Sequence, residues 1–232
     1  KCGLDDMCAR FKQLGYEIQI RDFRLEKMKG RFSDRIRTDP DPNNYCLFDI
    51  GEKSWLTPVT GEQTEFRVTN YDPDILSKHH HPGTHRYLIA REVIDADVVI
   101  SLPKLKTHEK AGVTGALKNM VGINGFKEYL PHHRKGGSSA GGDCYQDGGW
   151  LKKFAEDSLD RGNRGKRSLP RYMNIRVAVL AMRLGRAFFG GERDLDGGWY
   201  GNDTVCRMCL DLQRILHYGN GDGRICDTPQ RK

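Results

Sequence analysis

Apolar residues Leu4, Met7, Cys8, Phe11 and Leu14 recur at helical spacing, and Gly15 follows where a helix stops, so the chain opens on a predicted amphipathic helix. Residues 17–20 then alternate as a strand, which makes a helix–glycine–strand start of α/β type. The polar, Pro-containing stretch 34–44 reads as an exposed loop. Short strands are expected at 47–50, ending at Gly51, and at 64–70. A helix over 86–93 then leads into Val98-Val-Ile-Ser-Leu102, a β-branched run suited to a buried central strand, which Pro103 ends. Residues 135–149 are rich in Gly and Ser and read as a mobile excursion. Helices follow at 150–159 and 171–189. The second carries Arg176, Arg183 and Arg186 on one side, and its apolar segment 177–182 reads as a core helix rather than a membrane-surface one. A last helix, capped by Asn202 or Asp203, turns Val205, Met208, Cys209, Leu212, Ile215 and Leu216 to one face. Asn220-Gly-Asp-Gly223 is a tight turn before a short strand.

The pattern predicts one α/β domain over 1–232, with a mixed or mainly parallel sheet and helices on both faces. No apolar run approaches the roughly 20 residues of a membrane span. The chain begins at Lys1 rather than Met, and it is expected to be a piece truncated at both ends.

Charge narrows the picture. The net charge is +7, and between Pro103 and Lys135 seven Lys and Arg residues face two Glu, a local excess of +5. Such a stretch attracts phosphates, nucleotides or acidic partners. Few aromatics interleave these lysines, which disfavours a single-strand nucleic-acid platform. The seven cysteines are odd in number and scattered, so a secreted disulfide framework is excluded and a cytoplasmic setting is expected. Cys206 and Cys209 sit within a helical pattern and read as buried helix cysteines rather than a metal or redox pair; no ferredoxin-type quartet occurs.

The loop after residue 102 holds Lys104, Lys106, His108 and Lys118 among Gly112, Gly115 and Gly122. In open α/β sheets ligands bind beyond the carboxyl ends of strands, and glycines there let backbone N–H groups approach an anion. No Walker spacing is present. Of the weaker signals, His79, His80, His81 and His85 read as a solvated loop cluster. Asp211 reads as a structural partner of Arg207 four residues earlier.

The run DADVVISLPKLKTHEKAGVTGALKNMVGI, with YLPHHR and GNDTVCRMCLDLQRI, resembles the family numbered 362 among the domains of unknown function, over about residues 92–228. Members of that family often carry or neighbour iron–sulfur ferredoxin domains, which implies a ferredoxin-type partner or domain outside this segment and no iron–sulfur cluster within it. The same order of residues, with a Lys ten positions after the His, is more distantly similar to the N-terminal domain of nickel-pincer lactate racemases. That resemblance implies an acid/base role for His108 and cofactor anchoring by Lys118. It also implies a metal-ligand role for His132 or His133, whose neighbours Arg134 and Lys135 equally suit them to phosphate contacts. Thr114 and Ala116 stand where the racemases are richer in glycine.

Taken together, an enzyme or enzyme component is expected. It binds an anionic, nucleotide-like or metal-containing cofactor or substrate through Lys104, Lys106, Gly112, Thr114, Gly115, Lys118 and Asn119, with His108 and Lys118 catalytic. A non-enzymatic phosphate, nucleotide or nucleic-acid module and an electron-transfer partner of iron–sulfur proteins are the alternatives.

Overall fold

The structure, a computed structural model, describes residues 3–28, 35–37, 44–146, 149–164, 169–189 and 195–230. Helix α1 (Leu4–Gln13) forms as its periodicity predicts and stops before Gly15, whose φ of 85° suits only glycine well. It buries no residue, and residues 17–20 run on without strand pairing. Strands β1 (Glu26–Met28) and β2 (Arg35–Arg37) pair antiparallel. Most of the loop expected over 34–44 lies outside the described residues.

The architectural centre is β3 (Tyr45–Asp49), paired antiparallel with β6 (Thr84–Ala90), which pairs in turn with the two-residue β5 (His80–His81). The segment expected as a helix over 86–93 is thus a strand followed by the one-turn α3 (Arg91–Asp95). Its inward positions His85, Tyr87 and Ile89 alternate with half-buried Arg86 and Leu88, a period of two that an apolar Leu-Ile-Ala sequence disguises. All pairings among the described strands are antiparallel, which corrects the expected parallel sheet: β4 (Phe66–Arg67) joins β9 (His133–Arg134), and β7 (Lys106–His108) joins β8 (Gly112–Thr114). Helices and small antiparallel sheets make the fold roughly α/β.

The expected central strand fails most clearly. Residues 98–102 form no strand, and Val98, Ile100 and Leu102 are exposed at 69%, 75% and 85%. An apolar β-branched run is strand-prone, yet a strand also needs a neighbour to bond, and no described strand lies alongside it.

The last helix, α7 (Thr204–Tyr218), closes the core. Val205, Met208, Leu212 and Ile215 are fully buried with Phe48, Tyr87 and Ile89 of the sheet and with Leu56, Phe66 and Leu76, the last on α2 (Pro73–His79). Each such side chain stabilises the fold by roughly 1.5–3 kcal/mol. Of the two cysteines expected to be buried on this helix, Cys209 is, whereas Cys206 is exposed, which corrects that expectation. Asn202 caps this helix, its Oδ1 accepting from the Val205 N–H. The turn after it forms as expected, Gly223 N–H donating to Asn220 O before the Gly219–Ile225 bridge.

Two polar groups sit in this apolar centre, and both correct the sequence expectation. Asp211 does not pair with Arg207, which reaches Asp203 instead. Fully buried, it accepts hydrogen bonds from Ser54 Oγ (2.5 Å), Trp55 N–H (2.8 Å) and Tyr87 Oη (2.8 Å), clamping α7 to the sheet. His80 and His85 are not solvated either. They are buried, with their Nδ1 atoms 3.3 Å apart and His80 Nε2 donating to Tyr129 O at 3.0 Å.

A helical hairpin of α5 (Trp150–Asn163) and α6 (Leu169–Phe189) packs beside this core. Within 177–182 only Ala178 and Ala181 are buried, while Val177 and Leu180 are exposed, so α6 is a core helix on one side alone.

Burial pushes the Asp211 carboxyl up to about 6 from 3.8. A raised native value means that the folded state holds the proton more tightly. Its contribution to stability is therefore full below the unfolded value of about 4 and is lost as pH rises through about 6. Denaturant titrations of wild type and Asp211→Asn should show wild type losing up to about 3 kcal/mol relative to the variant as pH rises across that window. A stability difference independent of pH would refute this.

Candidate functional site

The loop expected to bind an anion is a β-hairpin. Lys106 pairs opposite Thr114 and His108 opposite Gly112. Directly opposed residues, and residues two apart, share a face, so Lys106, His108 and Thr114 stand on one side of this ribbon. The hairpin turns at 109–111, where Lys110 N–H donates to His108 Nδ1 (3.1 Å) and Gly112 takes the left-handed φ of 68°. After Gly115 the chain enters the single turn α4 (Ala116–Asn119), placing Lys118 one turn beyond the hairpin.

The charges crowd. Burial first, then Lys118, Lys110 and Lys106, holds the His108 imidazole below its ordinary value. Burial, then Lys110 and Lys106, lowers the Lys118 ammonium, although the Cys209 thiol on α7 opposes this. Carboxylates compensate in part: Lys110 Nζ reaches Asp196 at 3.1 Å, and Glu109 faces His108. The Thr114 hydroxyl is buried with no hydrogen-bond partner. Space is open beside Gly112, Gly115 and Gly122, where an added Cβ would meet nothing within 4 Å.

Of the other expected site residues, Asn119 donates to Ser101 Oγ at 3.0 Å and so tethers the 98–102 segment. Lys104 is exposed, and no contact joins it to the group among the described residues. His132 and His133 are both buried, which explains their strongly lowered basicity; His132 falls to about 3, with Lys127, Lys110 and Lys118 adding repulsion. His132 Nδ1 bonds Leu130 O at 2.7 Å, whereas His133 Nδ1 has no partner.

Of the stretch 135–149, expected to be mobile, residues 147–148 lie outside the described residues, and 135–146 form a hydrogen-bonded loop. Gly142 N–H donates to Gly137 O and Cys144 N–H to Gly136 O. Gly142 is needed for the close approach, because a Cβ there would come within 2.3 Å of the carbonyl oxygens of Lys135 and Gly136. Asp143, Cys144 and Tyr145 are buried as a result. The Asp143 carboxylate accepts from the Arg134 N–H, from Thr204 N–H (2.9 Å) and Oγ1 (2.6 Å), and from Asp203 N–H (3.2 Å). It thus joins β9 to the N-terminus of α7. Trp199 Nε1 donates to Asp143 O, and Gly197 N–H to Cys144 O.

This packing brings His133, Cys144 and Glu156 together, their ligand atoms all within 4.8 Å of one another. Sequence reasoning singled out His133 and missed the other two. Asp-Cys-Tyr is the one signal, a compact block unlike the glycines around it.

Residues 50–218 match the model of a family described as "Domain of unknown function (DUF362)". The chain belongs to this family. The matched region begins well before the 92–228 core and takes in β6, the hairpin, β9 and α7. A curated relative from Synechocystis sp., "Thylakoid-associated protein sll1697", is 37% identical over 76 residues. The matched part is 33% of this chain and 22% of that protein. No solved structure matches, so the racemase likeness rests on the quoted residues alone. Among the described residues no helix is long and apolar enough to cross a membrane.

Replacing Asp143 by Ala should leave three backbone N–H groups and the Thr204 hydroxyl without their acceptor. A loss of about 3 kcal/mol in denaturant-determined stability is expected, with Asp143→Asn recovering part of it. A loss below about 1 kcal/mol would show that water replaces the carboxylate there.

Proposed function

We propose that this DUF362 chain is an enzyme or enzyme component that binds an anionic, phosphate-bearing ligand of nucleotide type on the face carrying Lys106, His108, Thr114 and Lys118. The observation that carries this is the crowding of like charges: Lys110 and Lys106 lower the proton affinity of Lys118, and all three lower that of His108. Clustered ammonium groups cost free energy in the free protein, and a polyanion among them recovers it. The unpartnered Thr114 hydroxyl supplies a neutral donor, and the open space beside Gly115 and Gly122 admits a bulky group.

On this reading Lys118 and Lys106 bind charge, and His108 exchanges a proton with the ligand. Its Nδ1 accepts from the Lys110 N–H, so the neutral ring carries its proton on Nε2, and Nδ1, once released from that N–H, is the atom that takes up a second proton. Burial and the neighbouring lysines favour the neutral imidazole, which presents Nε2–H to the ligand; a bound polyanion screens the lysines and raises the ring's proton affinity. These residues also fit the anionic part of the nucleotide-derived group that the racemase resemblance implies, with Lys118 as its anchor.

Titration with inorganic pyrophosphate and with a nucleoside diphosphate, followed by calorimetry and by NMR of the His108 ring, tests the proposal. Binding should weaken with salt, and His108 should titrate at higher pH in the complex than in the free protein. Lys118→Ala should weaken binding at least about tenfold, the cost of one charge-assisted hydrogen bond. No binding at low salt, or binding indifferent to both Lys118→Ala and Lys106→Ala, would remove this reading.

A further inference from the structure

We propose that His133, Cys144 and Glu156 form a binding site for a borderline divalent cation of the zinc class. The three residues come from different elements: β9, the packed loop after it, and α5. Their exposures are 2%, 1% and 4%, and their ligand atoms lie within 4.8 Å of one another. Ligand atoms on tetrahedral zinc are about 3.3–3.8 Å apart, so side-chain shifts of about an ångström close the site.

The donors are prepared. His133 is buried with its Nδ1 lacking a hydrogen-bond partner, and one of its ring nitrogens lies within 4.8 Å of the Cys144 and Glu156 ligand atoms. Gly136 N–H donates to both Glu156 oxygens at 3.0 and 3.1 Å, and Tyr145 Oη lies 3.4 Å from Oε2, so the carboxylate is oriented by outer partners, as metal ligands are. The Cys144 Sγ lies within 4.8 Å of the nearest Glu156 ligand oxygen. One nitrogen, one sulfur and one oxygen donor suit zinc better than magnesium or calcium, which take oxygen ligands.

Loading needs no redox step. The cation displaces the thiol proton, a metal–sulfur bond replaces the S–H bond, and one proton leaves to solvent. The entry path is a cavity of about 680 Å³ between residues 61–65 and the 134–141 loop, which Tyr145 and Glu156 both line. Three protein ligands leave a fourth position on the cation. The site stands on its own geometry and does not depend on the anion face of the hairpin.

Cobalt titration of the reduced, metal-free full chain tests this. One equivalent of Co²⁺ should produce a thiolate-to-cobalt charge-transfer band, release one proton, and be displaced by Zn²⁺. Cys144→Ser should abolish the band, and His133→Gln and Glu156→Gln should weaken cobalt binding at least tenfold. Cys206→Ser should leave it unchanged. If a buried variant fails to fold, the wild-type spectrum and the exposed Cys206→Ser control still decide. Absence of the band on wild type at saturating cobalt, its survival in Cys144→Ser, or its loss in Cys206→Ser would each overturn the assignment. None of these readouts touches phosphate binding, so failure here leaves the hairpin proposal standing, and the reverse.

Discussion

The buried Asp143 carboxylate is the interaction on which the region around both candidate sites depends. A carboxylate removed from water is tolerated only when donors surround it, and here they come from two directions: Arg134 on β9, and the start of α7 at Asp203 and Thr204. Helix N-termini present free N–H groups and favour negative charge, so α7 and Asp143 answer each other's need. Once Asp143 is fixed, Cys144 is fixed one residue later and His133 one residue before Arg134. Asn202 adds a second tie by donating to His132 O (2.9 Å) and Gly197 O (2.8 Å). The geometry of the His–Cys–Glu cluster therefore follows from a capping interaction.

The same framework separates charges of opposite sign. On one side, Lys135 is drawn into carboxylates: Asp157 at 2.7 Å, Asp160 at 3.1 Å and Glu65 at 3.5 Å, with Arg67 bidentate to Asp160. These buried or half-buried pairs neutralise one another and fasten β4 and β9 to α5. On the hairpin side, Lys106 and Lys118 act on His108 with far less compensation. Equal numbers of cations can thus serve opposite purposes, and the arrangement of carboxylates decides which. Sequence counts alone placed Lys135 and Lys106 in one +5 stretch.

That difference describes how much of this protein was legible beforehand. Helix α7 was, because six apolar residues at helical spacing can only be one buried face, and α1, α5 and α6 followed the same periodicity. The hairpin residues were legible as chemistry, since lysines, a histidine and glycines in one short stretch need no tertiary contact to be noticed. The strand β6 was not: Tyr87, Leu88, Ile89 and Ala90 satisfy helical and strand periods together, and only pairing with β3 selects between them. Nor was the run 98–102, where local β preference met no neighbour. Asp211, His80 and His85 misled for one common reason. Polar residues are surface residues by default, and burial is acceptable only when distant partners such as Ser54, Tyr87 and Tyr129 are supplied by the fold. Cys144 and Glu156 were beyond reach because eleven residues lie between them in the sequence, and nothing local joins them.

Both candidate sites carry an unmet electrostatic demand in the free chain, and that shapes stability as well as binding. The hairpin holds ammonium groups that repel one another, and β9 holds a buried imidazole nitrogen without a partner. A fold selected for stability alone would place carboxylates beside the first and a hydroxyl beside the second, as it does at Lys135 and at Asp211. Any species that binds only the folded chain stabilises it by RT ln(1 + [L]/Kd), so each unmet demand becomes a gain in stability when its ligand arrives. An anion on the hairpin would be felt through Lys118 at α7, whose Cys209 lies within reach of that charge. A cation at His133 would be felt through Asp143 at the N-terminus of the same helix. The helix that closes the core is therefore the element through which both sites couple to folding.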